Sequence, residues 1–371
     1  MAMGLNEAIS LGVEEEYLLL HPVTGTPVPL SEEVRQEVGL KAITDEGEVQ
    51  PELLQAQVEA ATPVCTDLTQ LGGHLLRLRH ALGEAAGRHG CRLATVAAAP
   101  LDSPGPDVPV TADPRYRELH RRAGLLVDEQ LINGMHVHVG VPDRDTAVAV
   151  LNRMRAWLPT LTAMSVNSPL WHGNDTGFAS WRTMVFNRWP VGGPPPHFTD
   201  LGDYERRIAA LIASGVIMDT GQLYWGARPS ERYPTVEVRC LDVQLGVDEA
   251  VMFAGIVRAL AATAIDAYRA KEAEQVAPPE QLRAATWQAA RHGLTGTLLG
   301  PRGNALPAAE AVSMLLHHIA PSLAARGDDQ YVLPQVQRLL RDGTGAERQR
   351  QAVACDGTAG LIALITESTS D

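Results

Sequence analysis

The 371-residue chain predicts an α+β fold built on a largely antiparallel sheet. Three observations carry that expectation. Segments with strand character crowd the first two-thirds of the chain, and amphipathic helical periodicity fills the remainder. Strand and helix patterns rarely alternate as the βαβ units that a parallel sheet requires. No internal repeat and no low-complexity linker divides the chain, so residues 1–371 read as one domain with a strand-rich part, 1–245, and a helical part, 246–371.

"SLGVEEEYLLL" (10–20) reads as a strand and is closed by the Pro/Gly turn "HPVTGTPVP". A second strand is expected over "LLQAQVEAATPV" (53–64). Behind Thr66 or Asp67 as N-cap, Leu68, Leu71, Leu75, Leu78 and Leu82 recur at helical spacing, which predicts a helix to about Gly90. "CRLATVAAA" (91–99) reads as a buried strand, 113–126 as a short helix, and 130–141 as the strand that carries "GMHVHVGV". Residues 143–165 have helical character and lead into the polar loop "NSPLWHGNDTG" (167–177). A helix over "FASWRTMVFNRW" precedes "PVGGPPPHF", where three prolines stiffen the backbone. A helix over 203–214 and a strand over "YPTVEVRCLDVQ" (233–244) complete the strand-rich part.

Composition excludes several function classes. A formal net charge of −13 argues against a nucleic-acid or anionic-membrane surface, which needs a basic patch. Lys41 and Lys271 are the only lysines and no GxxxxGK[ST] occurs, so the chain is no P-loop enzyme. Cys65, Cys91, Cys240 and Cys355 are widely spaced without a CxxC pair, which predicts neither a disulfide framework nor a zinc knuckle and suits a reducing compartment. With no secretory signal pattern and no run of eighteen apolar residues, the expected location is the cytoplasm.

Side chains alternate along a strand, so Glu14 and Glu16 share one face of the first strand, roughly 6–7 Å apart, with Glu15 opposite. Like charges so close repel unless they are solvated or bridged by a cation, and oxygen-rich sites suit Mg²⁺ or Mn²⁺. On the second strand Gln57 and Glu59 share a face, and Glu52 lies at or before its start. His136 and His138 face one way, Met135, Val137 and Val139 the other. Burying two neighbouring imidazoles needs several partners, which favours a functional pair. HxH on a strand is also the zinc motif of metal-dependent hydrolases, where it normally ends the first strand. In "TVEVRCLD", Thr235, Glu237 and Arg239 share a face that Asp242 extends; a simple in-strand ion pair accounts for them equally well. The stretch 167–190 gathers Asn167, Trp171, His172, Asn174, Arg182, Arg188 and three tryptophans, which suggests a lined pocket, although helix packing explains Trp181 and Phe186 as readily.

Taken in order, GVEEEY, PELLQAQVEAATPV, GMHVHVGV, NSPLWHGNDTGFASWR and SERYPTVEVRCLD resemble the type 2 glutamate–cysteine ligases, or carboxylate–amine ligases, over essentially the whole chain. The resemblance implies a curved, mainly antiparallel sheet forming a funnel flanked by helices, as in glutamine synthetase and the guanidino kinases. It implies an ATP-dependent enzyme that activates a carboxylate, typically the glutamate γ-carboxylate, for attack by an amine such as that of cysteine. By motif, Glu14, Glu16, Glu52, Glu59, His136 and Glu237 would hold Mg²⁺ or Mn²⁺, and His136, Glu237 and Arg239 would face ATP. Arg239 would meet the γ-phosphate, Arg182 the carboxylate or transferring phosphoryl group, and His138 the substrate side. The implied partners are a small-molecule acid and amine, without nucleic acid or membrane, and a homodimer is common among such enzymes. One departure is "AAAPLDSPGPD", which lacks the small-residue/His-Pro segment that relatives often carry. The competing expectations are the same chemistry on other acids and amines, a zinc hydrolase built on His136 and His138, and a silent binding protein.

Overall fold

The computed structural model describes residues 9–38, 48–102, 108–300 and 303–367. Its strands are β1 (Leu11–Leu20), β2 (Val49–Pro51), β3 (Gln57–Ala61), β4 (Arg92–Ala94), β5 (Gly134–Gly140), β6 (Leu170–Trp171), β7 (Asn174–Asp175), β8 (Ala227–Pro229), β9 (Thr235–Asp242), β10 (Thr297–Leu299) and β11 (Ala305–Pro307). Seven of them form the main sheet in the order β2-β3-β1-β5-β9-β8, with β4 also pairing β1. Every pairing in it is antiparallel, and it does not close into a barrel. β6–β7 and β10–β11 are separate hairpins.

Glu15 apart, the back face of the sheet is apolar, since it carries the other odd-numbered residues of β1, those of β5, and Val236, Val238 and Leu241 of β9. Leu11, Val13, Met135, Val137, Val139, Val236 and Val238 all lie in one core with Val247, Val251, Ile256 and Val257 from the helix Val247–Arg269. That helix is long and apolar enough to cross a membrane by composition, but 83% of its apolar stretch is buried inside the fold. Arg258 interrupts it and holds Asp328 through two 2.7 Å contacts. The helix Leu68–Arg88 forms as expected: Asp67 caps it by accepting from the Gln70 amide at 2.8 Å, and Leu71, Leu75, Leu78 and Leu82 face the core. The far end of β1, Tyr17–Leu20, is buried on both faces between two clusters, which explains its unbroken apolar run.

Three expectations change in detail. The helix over 143–165 is two, Arg144–Met154 and Leu158–Ser165, because Pro159 suits a first turn and interrupts an interior one. The strand over 91–99 shrinks to β4, since the amides of Thr95, Ala97 and Ala99 bond Ile365, Asn167 and Leu131 rather than one neighbouring strand. The strand over 53–64 shrinks to β3, and residues before it turn so that Gln55 pairs with Pro109. Part of the divergent "AAAPLDSPGPD", residues 103–107, lies outside the described residues.

Glu15 points to the back face and is fully buried. Arg79 grips it at 2.9 and 2.5 Å, Tyr17 donates to it at 2.5 Å, and the Arg79 guanidinium also donates to the carbonyls of Gln244 and Leu245. Breaking a buried pair on one side leaves an uncompensated charge. Arg79→Ala is therefore expected to lower the free energy of unfolding by about 3–5 kcal/mol, read from the denaturant midpoint. A change under about 1 kcal/mol would mean that the pair does not brace the sheet.

Candidate active site

The front face of the sheet floors a cavity of about 610 Å³. Register, not sequence proximity, assembles it. Glu16 lies opposite Glu59, Glu14 opposite His136, Gly12 opposite His138, and His138 in turn opposite Glu237. The outer strands extend the row, with Gln50 across from Glu59 and Arg228 across from Glu237. Glu14, Glu16, Glu52, Glu59, His136, His138, Arg182, Glu237 and Arg239 all line this one cavity.

The acidic groups divide into two sets. Glu16, Glu52 and Glu59 offer oxygens within 4.8 Å of one another, and Glu14, His138 and Glu237 offer donors within the same span. Donors on an octahedral Mg²⁺ ion stand about 3.0 Å apart when adjacent and about 4.2 Å apart when opposite, so a bound ion would draw either set together. The first set is all oxygen and suits Mg²⁺ or Mn²⁺; the second includes one nitrogen. His136 sits between them, its Nδ1 3.1 Å from Glu14 and 3.8 Å from Glu237, its Nε2 3.6 Å from Glu16. That Nε2 is buried without a hydrogen-bond partner, which fits a site awaiting another group. The imidazole that joins a three-donor set is that of His138, while His136 lies between the two sets. Among the described residues no three-donor set contains both histidines.

Charge is offset unevenly over this floor. Arg239 and Arg228 both pair with Glu237, Arg228 at 2.7 Å. Burial pushes the Glu237 carboxyl upward, but Arg239 and Arg228 outweigh it and hold the group well below the usual range. Burial likewise opposes ionisation of Glu14, and the charge of His138 with hydrogen bonds from both imidazoles more than reverses it. At Glu52 and Glu59 the counterweights, Arg239 among them, are too small to offset burial and the neighbouring carboxylates. Burial first, then Glu16, pushes Glu52 up to about 7, and burial with Glu14, Glu52 and Glu16 raises Glu59 further from its ordinary value. Burial and Arg239 depress His136, whereas Glu14 raises His138 against burial.

Two backbone features place the arginines. Opposite His136, β9 carries one extra residue: the pairing jumps from Val137–Val238 to Met135–Leu241, so Arg239 and Cys240 both face one residue of β5. The bulge reverses the alternation, which is why Asp242 shares a face with Glu237 despite being five residues away. At Gly134 an added Cβ would lie 2.1 Å from Arg182 Nη2, and the Gly134 amide donates to Glu16 at 2.5 Å. Only glycine lets the guanidinium lie there.

The aromatic-rich stretch is dispersed. Arg182, Phe186 and Trp189 line the cavity, but His172 pairs with exposed Asp102, Arg188 with Glu129, and Asn167 is buried against Gln349. Sequence reasoning missed Arg228, whose three-residue strand is too short to show alternation, and Tyr116 and Tyr224, which wall the cavity from a helix and a turn. The spacing of Tyr116 and Leu119 within the expected helix is the one signal that marks an inward face.

Because Glu52 is pushed from 4.5 to about 7, the folded state keeps a proton there that the unfolded chain releases, and stability falls as pH rises through that window. The loss from Glu52 is at most about 3 kcal/mol. The melting temperature of the metal-free protein is expected to fall between about pH 5 and about pH 8, and millimolar Mg²⁺ to restore more of it at the higher pH. Equal Mg²⁺ stabilisation at both values would count against a cation at Glu16, Glu52 and Glu59.

Comparison with known proteins gives the family and the fold. The family described as Glutamate-cysteine ligase family 2 (GCS2) matches residues 10–367. The "Putative glutamate–cysteine ligase 2-1" of Saccharopolyspora erythraea is 43% identical over 346 residues, 92% of this chain and 90% of that one. The "Putative glutamate–cysteine ligase 2" of Salinispora arenicola is 43% identical over 366 residues, 97% of this chain and 95% of that one. Among solved structures, the bifunctional glutathione synthetase from Pasteurella multocida superposes with a TM-score of 0.71 at 14% identity, covering 98% of this chain and 52% of that longer one. The glutamate–cysteine ligase of Francisella tularensis, in complex with AMP, gives 0.68 at 13% identity over 98% of this chain and 89% of that one. At such identities these two likenesses bear on the fold alone.

Proposed function

The chain belongs to glutamate–cysteine ligase family 2, and from that premise we propose that this carboxylate–amine ligase spends ATP to activate a carboxylate as an acyl phosphate, which an amine then attacks. The acid is taken to be glutamate, through its γ-carboxylate, and the amine cysteine. A free carboxylate resists attack because its charge repels a nucleophile and its leaving group would be oxide. Phosphorylation supplies a stable leaving group, provided the phosphoryl oxygens are neutralised, aligned and kept from water.

The observation that carries this reading is the convergence of two cation-sized donor sets and two buried arginines on one cavity floor. Glu16, Glu52 and Glu59, and Glu14, His138 and Glu237, are the residues that would hold divalent cations, which would neutralise the β- and γ-phosphate oxygens. Arg239, pinned by Glu237 and beside His136, is assigned to the transferring phosphoryl group, and Arg182 to the carboxylate. Burial and Arg239 keep His136 toward its neutral form, so between the two donor sets it adds no charge that would compete with a cation in either. His138, held by Thr235 at 3.0 Å on its other nitrogen, lines the same face. With arginine supplying the fixed cations, the scarcity of lysine costs the chemistry nothing.

The test is ADP release with Mg²⁺ and ATP, screened over acids and amines. ADP formation is expected to require metal, an acid and an amine together; a protein that releases none with any pair would overturn the reading. Glu16→Gln is expected to cut turnover by at least about 100-fold. The same change removes a charge from a crowded set, so the metal-free melting temperature should not fall. A collapsed fold would mark the carboxylate as structural.

A further inference from the structure

Asp242 takes no part in the scheme above, yet it ties together the elements that deliver both arginines. It is 1% exposed and lies three residues beyond Arg239, on the cavity face only because the β9 bulge turns it there. Its Oδ2 accepts from the Asn167 amide and the Ser168 hydroxyl, both at 2.8 Å, and its Oδ1 accepts from the Ser180 hydroxyl at 2.9 Å. Those two serines frame Arg182. Ser168 Oγ accepts from the Arg182 amide at 3.1 Å, and Ser180 caps the helix Trp181–Phe186 by accepting from the Thr183 amide at 3.2 Å.

The guanidinium of Arg182 is itself 3% exposed. It donates from Nη2 to the Arg239 carbonyl at 3.2 Å, lies over the Phe186 ring at 5.3 Å, and leaves Nε without a partner. Among the described residues its one ion pair is with Asp242, at 3.9 Å from Nη1 to Oδ1. A buried cation needs a counter-charge. Without Asp242, the nearest negative groups for Arg182 are the carboxylates of the cavity floor, and the guanidinium would be drawn toward them.

We propose that Asp242 is a positioning residue of the ligase reaction, acting through Arg182: its carboxylate fixes the guanidinium beside Arg239 and keeps it available to an anionic substrate group. This rests on the ligase reading above. It separates charge from shape, because an asparagine can still accept from Asn167 and Ser168 through its one carbonyl oxygen and turn its amide to donate to Ser180 Oγ, but cannot balance Arg182.

The experiment compares wild type, Asp242→Asn, Arg182→Lys and the double variant by ADP release with Mg²⁺ and ATP, with glutamate and cysteine as probes, alongside ATP affinity and melting temperature. Asp242→Asn is expected to lower kcat/KM for glutamate by about 10- to 100-fold. ATP affinity should stay within about twofold and the melting temperature within about 3 °C. In the Arg182→Lys background the same change should cost less than about threefold, because the guanidinium that Asp242 positions is already gone. An unchanged kcat/KM, or a full cost retained beside Arg182→Lys, would overturn the inference while leaving the ligase reading intact. If Asp242→Asn instead melts early and loses ATP affinity in proportion, the residue is structural and the inference falls. A wild type that releases no ADP with any acid–amine pair would remove the ligase reading and this inference with it.

Discussion

Mutual repulsion among five glutamates on one side of a sheet is the constraint around which this protein is arranged. At about 4 Å, two unit charges in a partly polar interior oppose each other by about 4 kcal/mol. Glu14, Glu16, Glu52, Glu59 and Glu237 would scatter if flexible elements carried them; here β1, β3 and β9 fix four of them, and the turn after β2 supplies the fifth. The penalty is offset on the Glu237 side by Arg228 and Arg239, and on the Glu14 side by two imidazoles. At Glu52 and Glu59 Arg239 offsets it only in part, and burial with the neighbouring carboxylates pushes both groups up from their ordinary range. The floor is therefore electrostatically unfinished at one end, which is what a cation-binding site requires.

Such a floor can exist because the opposite face of the sheet is anchored independently. Valines and leucines of β1, β5 and β9 pack on the helix Val247–Arg269, so the strands hold their register whatever the front face carries. The three consecutive glutamates of β1 illustrate the division. Glu14 and Glu16 face the cavity and are partly offset, whereas Glu15 faces backward into a saturated network with Arg79 and Tyr17. One residue type serves two opposed purposes, and the alternation of side chains along a strand is the whole cause.

The arginines are placed by irregularity rather than by regular structure. One extra residue in β9 sets Arg239 and Cys240 against His136 and brings Asp242 round to the side of Arg182. The missing side chain at Gly134 opens the space that Arg182 occupies. Bulges and glycines cost sheet stability, and they occur here where the backbone must aim charged groups that a uniform ladder would point elsewhere.

Much of this was legible in the sequence. The period-two patterns at residues 10–20, 134–141 and 233–244 determined which side chains share a face, hence the front-face glutamates and the histidine pair, while the scarcity of βαβ alternation pointed to the antiparallel class. The helix start at Asp67 and its leucine spacing were equally local. What only the tertiary structure decided depends on contacts between distant segments: the strand order, the pairing of Glu16 with Glu59 and of His138 with Glu237, and the division of the donors into two sets. The dispersal of the tryptophan-rich stretch and the arrival of Arg228 also belong there, because a three-residue strand has no period to read. Side-chain alternation is a property of a single strand and is written in its residues; register is a property of two, set by the cores packed behind them, and no stretch of one strand encodes it.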